Sequence, residues 1–79
     1  MQPENLPALI RVRAMAASGR AREIRVAARL NLSEVANAVG VTATSVYRWE
    51  KGQRTPTGEV ALRYGALLDE LTAATALAS

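Results

Sequence analysis

The 79-residue chain predicts an all-α domain, and three observations carry that reading. Apolar residues recur at helical spacing through most of the sequence. No segment alternates apolar and polar residues with period two, so no sheet is expected. Helix-start and helix-stop signals come at short intervals, above all Ser18-Gly19, Ser33, Gly40, Thr42 and Gly52.

Met1 to Leu6 reads as a loose lead-in. Pro7 suits a first helical position, with its fixed φ and missing N–H, and Ala8 to Ala17 follows as a helix. Leu9, Ile10, Val12, Met15 and Ala16 give that helix its apolar period, and Ser18-Gly19 ends it. Arg20 to Leu30 is the second helix, with Ile24, Ala27 and Ala28 as its buried stripe and Leu30 at the margin. Asn31 and Leu32 form the connection. Ser33 then caps Glu34 to Val39, its hydroxyl accepting from orphan amides while Glu34 complements the helix dipole. Val35, Ala36 and Val39 face inward. Thr42 caps a fourth helix, Ala43 to Lys51, which Gly52 closes. Gln53 to Pro56 is a loop, and the last helix opens at Pro56 or Thr57. Val60, Ala61, Tyr64, Leu67, Leu68 and Leu71 form its stripe. Gly65 either breaks this helix or passes within it, and Ala73 to Ala78 either continues it or frays.

Composition narrows function. Hydrophobic residues make up 49%, much of it Ala, and Phe is absent, so the core must come from Leu, Val, Ile, Ala and one Trp. The chain has no Cys and no His. That removes thiolate metal sites, disulfides and the commonest general base. Glu23, Glu34, Glu50, Glu59, Asp69 and Glu70 offer carboxylates, but no nucleophile, Gly-rich phosphate loop or metal motif accompanies them, so no enzyme, metal or cofactor is expected. Net charge is +3, yet all ten Lys and Arg residues lie from Arg11 to Arg63, where the only acids are Glu23, Glu34, Glu50 and Glu59. The middle of the chain carries the positive excess of a polyanion-binding surface. No apolar run approaches a membrane span and no signal peptide is evident, so a cytoplasmic location is expected.

Leu32 to Glu50 is the informative stretch. Two short helices hinged at Gly40 make a helix-turn-helix, whose second helix enters a DNA major groove. Ala36 is small where the second helix crosses, and Gly40 supplies a turn conformation that a side chain would oppose. Val35, Val39, Val41, Val46 and Trp49 pack the pair together. At about 100° per residue, Val46, Trp49 and Glu50 share the inward side, and Thr44, Tyr47, Arg48 and Lys51 point outward. Arg48 suits bidentate recognition of guanine O6 and N7, and Thr44 can pack on a thymine methyl or hydrogen-bond a base. Ala43 is short enough to allow close approach. Tyr47 is either a phosphate or base contact or a partly packed surface aromatic. Trp49 reads as the anchor of a core without Phe.

Ile24-Arg25, Leu30 to Ala36, Val39 to Thr42, Ser45 to Gly52, Arg54 and Pro56 together resemble the phage repressor and Cro-like (Xre) helix-turn-helix family. The likeness spans Arg20 to Leu71, and the Trp49-Glu50-Lys51-Gly52 element with the downstream Arg54 and Pro56 is its most specific part. It implies a five-helix lambda-repressor-like DNA-binding domain, with the helix Ala43 to Lys51 as recognition helix and the segment Pro7 to Ser18 as an added N-terminal helix. It also implies an ion pair between Arg25 and Glu50 that orients the recognition helix and keeps Arg25 close to the phosphates. By the same likeness Ala43, Thr44 and Arg48 read bases, and Tyr47, on the same outward face, is counted with them as a base contact, while Arg25, Asn31, Ser33, Ser45, Lys51, Gly52, Gln53 and Arg54 meet the DNA backbone. Leu32 stands where the family often has a polar phosphate contact. Ala43, shorter than the usual residue, is left to read a thymine methyl.

The chain thus divides into an N-terminal extension, 1–19, a helix-turn-helix domain, 20–72, and an Ala-rich tail, 73–79. The expected partner is double-stranded DNA, bound by a homodimer on paired half-sites, with repression as the outcome. Leu67, Leu68, Leu71 and Leu77 are the first candidates for the dimer surface, and the N-terminal helix is the second. The alternative is a protein-interaction module of the same fold, an antitoxin or adaptor with a protein partner.

Overall fold

The computed structural model describes residues 5–78. Five helices follow one another: α1 (Leu6–Ser18), α2 (Arg20–Ala27), α3 (Leu32–Val39), α4 (Ala43–Glu50) and α5 (Gly58–Ala78). No strand occurs among the described residues. The all-α class is as expected, and the five helices include the N-terminal one. Of the lead-in Met1 to Leu6, residues 1–4 lie outside the described residues, while Leu6 already belongs to α1.

One core joins all five elements. Leu9, Val12 and Ala16 enter it from α1, Ala21 and Ile24 from α2, and Val35, Ala36 and Val39 from α3. Val46 and Trp49 come from α4, and Ala61, Tyr64 and Leu68 from α5. The Trp49 and Tyr64 rings meet with centroids 4.8 Å apart at 35°, so the two aromatics replace the missing Phe at the centre. α5 runs unbroken through Gly65 because the glycine serves packing. A Cβ there would stand 3.2 Å from Val12 Cβ, so its absence lets α5 lie close on α1.

Several expectations are corrected. α2 stops at Ala27, three residues short of Leu30, because the chain turns into a left-handed residue at Arg29, φ 60°. Leu30 N donates to Arg25 O and Arg29 N to Val26 O, the pairing of a Schellman stop. Ala27 is consequently exposed, and Ala21, one turn before Ile24, takes the buried place. Ile10 is also exposed, at 65%. The cap of α3 is Asn31, not Ser33. Its Oδ1 accepts from Glu34 N at 2.8 Å and Glu34 Oε1 accepts from Asn31 N at 2.9 Å, a complete capping box. Ser33 is exposed inside the first turn. Leu68 is buried to 1% beside Ala61 and Tyr64, so it holds the core and offers nothing to a dimer surface.

Candidate nucleic-acid interface

The turn between α3 and α4 is three residues long. Gly40 ends α3 at φ 89°, Gly40 N and Val41 N both donate to Ala36 O, and Thr42 opens α4. Thr42 Oγ1 accepts from Ser45 N at 3.1 Å, the expected cap. The free carbonyl end of α3 is held from α5, where Arg63 Nε donates to Val39 O at 3.1 Å. α3 and α4 are thus locked as a rigid pair on the core.

α4 is split lengthwise. Val46, Trp49 and Glu50 are buried, and Thr44, Tyr47, Arg48 and Lys51 are exposed. Ala43 and Ser45 are half-buried, with Ala43 packed on the core edge. The only acid of α4 is withdrawn from its outer face. Arg25 Nε donates to Glu50 Oε2 at 2.6 Å and Arg25 Nη2 to Oε1 at 3.0 Å. The two side chains are 13% and 3% exposed. Forked pairing of this kind fixes orientation as well as distance. Hydrogen bonding to Glu50, against the opposing effect of burial, raises the Arg25 guanidinium above its ordinary value. Arg25 Nη1 also donates to Leu30 O at 2.9 Å, so one side chain ties the α2–α3 turn to the end of α4. With Glu50 neutralised inside, the outer face carries Arg48 and Lys51 uncompensated. Lys51 Nζ lies 5.7 Å from the centre of the Tyr47 ring, a cation–π distance.

A fixed helix pair with a cationic, hydroxyl-bearing outer face has the charge and the donors to meet a polyanion. Residues 22–73, more than half of the chain, match the family model HTH_3, Helix-turn-helix. The chain belongs to this helix-turn-helix family. It is the family of Xre/Cro-like helix-turn-helix DNA-binding proteins, and the chain is a DNA-binding helix-turn-helix domain in that sense. No curated protein and no solved structure matches the chain.

The rest of the helix-turn-helix surface collects around α4. Lys51 is the C-terminal cap residue of α4, so the helix ends at Glu50, one residue before its expected end. Gly52 follows in the left-handed conformation, with Gly52 N donating to Trp49 O and Gln53 N to Arg48 O. Gln53 and Arg54 are exposed on the loop beyond it. That loop is anchored where Pro56 is buried and its carbonyl accepts from Arg13 Nε at 3.0 Å. Asn31 and Ser33 are exposed at the start of α3. Asn31 Oδ1 is committed to its cap. Ser45 Oγ is 3.1 Å from Thr42 Oγ1. Arg25 stands behind the surface with three of its donors used by the protein.

Sequence reasoning missed Arg13 and Arg63 as anchors of the loop and of α3. Each acts on a backbone carbonyl at least 24 residues away, and no local spacing encodes such a contact. It also missed the Tyr64 partner of Trp49. The Tyr64 hydroxyl is buried without a hydrogen-bond partner among the described residues. Burial first, and the Glu50 charge second, hold its ionisation well above the usual phenol value, with Arg25 pulling the other way.

No helix among the described residues is long and apolar enough to cross a membrane.

Proposed function

We propose that this protein is a cytoplasmic, sequence-specific transcription regulator that acts as a repressor, with α4 and Lys51 reading the major groove of double-stranded DNA. Residues 20–72 carry the proposed DNA contacts, on a core that α1 shares. The single observation that supports this reading best is the lengthwise division of α4. Its buried side is fixed by Val46, Trp49 and the Arg25–Glu50 pair, and its free side offers Thr44, Tyr47, Arg48 and Lys51. Ala43, Thr44, Tyr47 and Arg48 are assigned to bases. Arg25, Asn31, Ser33, Ser45, Lys51, Gly52, Gln53 and Arg54 are assigned to the backbone, where they set position without reading sequence.

One such domain makes few contacts, so two copies on half-sites one helical turn apart are proposed. The exposed Leu77 on α5 and Leu6 and Ile10 on α1, with half-buried Leu67 and Leu71, are the surfaces for pairing. The same exposed apolar residues favour the alternative, a module that captures another protein.

A selection of bound fragments from genomic DNA with the purified protein tests the assignment, and a two-fold motif is expected. Arg48→Ala is expected to relax base preference at one position, and Arg54→Ala to weaken operator and random DNA alike. Unchanged binding of both DNAs by both variants would overturn the assignment of this face. A stoichiometric protein partner that survives nuclease treatment, with no DNA retained, would favour the alternative.

A further inference from the structure

The α2–α3 turn places an arginine where the backbone favours glycine. Arg29 has φ 60°, and it alone among non-glycine described residues has positive φ. A side chain in the left-handed region is disfavoured by contact between Cβ and the following carbonyl, and such outliers concentrate at functional positions. The conformation is imposed by the Schellman stop of α2, through Leu30 N to Arg25 O and Arg29 N to Val26 O. Glycine would meet that stop without strain. Arg29 is also exposed and has no carboxylate partner among the described residues, so no ion pair among them accounts for a cation at this turn.

Its position is not free to drift. The carbonyl of the next residue, Leu30, accepts from Arg25 Nη1, and Arg25 holds Glu50 at the end of α4. The backbone at Arg29 is therefore tethered through one side chain to the helix proposed to enter the major groove. Asn31, assigned to the DNA backbone, is two residues on.

We infer that Arg29 is a further DNA-backbone contact, its guanidinium placed on a phosphate flanking the groove that α4 occupies, and that the strained backbone is the consequence of keeping a cation at that turn. The inference rests on the DNA-binding reading above and adds a residue to it.

Phosphate contacts are independent of sequence, so a random-sequence duplex suffices as probe, titrated across salt concentrations by fluorescence anisotropy. Arg29→Gly is expected to raise Tm by a few degrees while its affinity falls by about eightfold at about 0.1 M salt, with the log–log salt slope reduced by about 0.9 for each bound protomer. Arg29→Ala is expected to lose the same affinity and slope without the gain in Tm. Arg29→Lys keeps charge and strain, and is expected to keep the parental slope. Parental affinity and slope in both Arg29→Gly and Arg29→Ala would overturn the inference while leaving the DNA reading intact. Failure of the parent protein itself to bind with a salt-dependent affinity would overturn the DNA reading, and this inference with it.

Discussion

Glu50 is an acid on the helix proposed to face DNA, and burial is what makes it compatible with that role. Left on the surface it would repel phosphate. Held by Arg25 it becomes a strut. Glu50→Ala strands the Arg25 cation in a largely dry site, and a loss of about 3 kcal/mol is expected in a urea titration, because removing one partner of a buried pair leaves the other uncompensated. The double replacement Arg25→Met with Glu50→Leu is expected to recover most of that stability without recovering DNA affinity. Equal stability of Glu50→Ala and the parent protein would mean that the pair contributes nothing to the fold.

Tyr64 gives a second outcome at this scale. Its hydroxyl is buried and unpartnered, so Tyr64→Phe is expected to gain about 1 kcal/mol at neutral pH. The phenol's ionisation is raised above its ordinary value of 10.0 in the folded chain. Between those two values the unfolded chain loses the proton and the native chain keeps it, so the native state binds more protons and stability falls as pH rises. The urea midpoint of the parent protein is therefore expected to drop above about pH 10, and that of Tyr64→Phe to drop less. Parallel pH curves for the two would remove Tyr64 as the cause.

Among the elements, α3 shows how local rules compete. Both Asn31 and Ser33 are good cap residues, and each precedes a stretch of helix. Position decides between them. Only Asn31 has Glu34 three residues on, which closes the reciprocal box, so the helix starts two residues earlier than a Ser33 cap would allow. Asn31→Ala is expected to lower stability by about 1 kcal/mol, roughly 4–8 °C in Tm. Ser33→Ala should stay within about 0.5 kcal/mol. The reverse order in calorimetry would restore Ser33 as the cap. Thr42, Gly40 and Gly52 were legible because caps and left-handed stops act within a few residues. The end of α2 was not, because a glycine-like stop is written there with Arg29.

In the whole molecule, α1 is a structural part of the unit that carries α4. Its Leu9, Val12 and Ala16 enter the common core, and Arg13 holds the loop after α4 through the Pro56 carbonyl. Close approach of α1 and α5 depends on Gly65 facing Val12. Gly65→Leu forces the two apart and is expected to lose about 2 kcal/mol or more, with weakened DNA binding because the Pro56 anchor moves with α1. A variant as stable as the parent protein would show that the helices separate without consequence.

The all-α class, the helix-turn-helix, and the division of α4 into an inward and an exposed side could be read from the chain alone. These depend on helical period, caps and glycine stops, which are properties of neighbours in the chain. The pairing of Arg25 with Glu50 was also legible, though only through family resemblance. Tertiary structure alone decided that Leu68 is core rather than interface, that Ile10 is exposed, that α5 passes through Gly65, and that Arg13 and Arg63 clamp backbone carbonyls across the fold. Those outcomes follow from which helix covers which, and a one-dimensional pattern states that a face is apolar without stating what will lie on it.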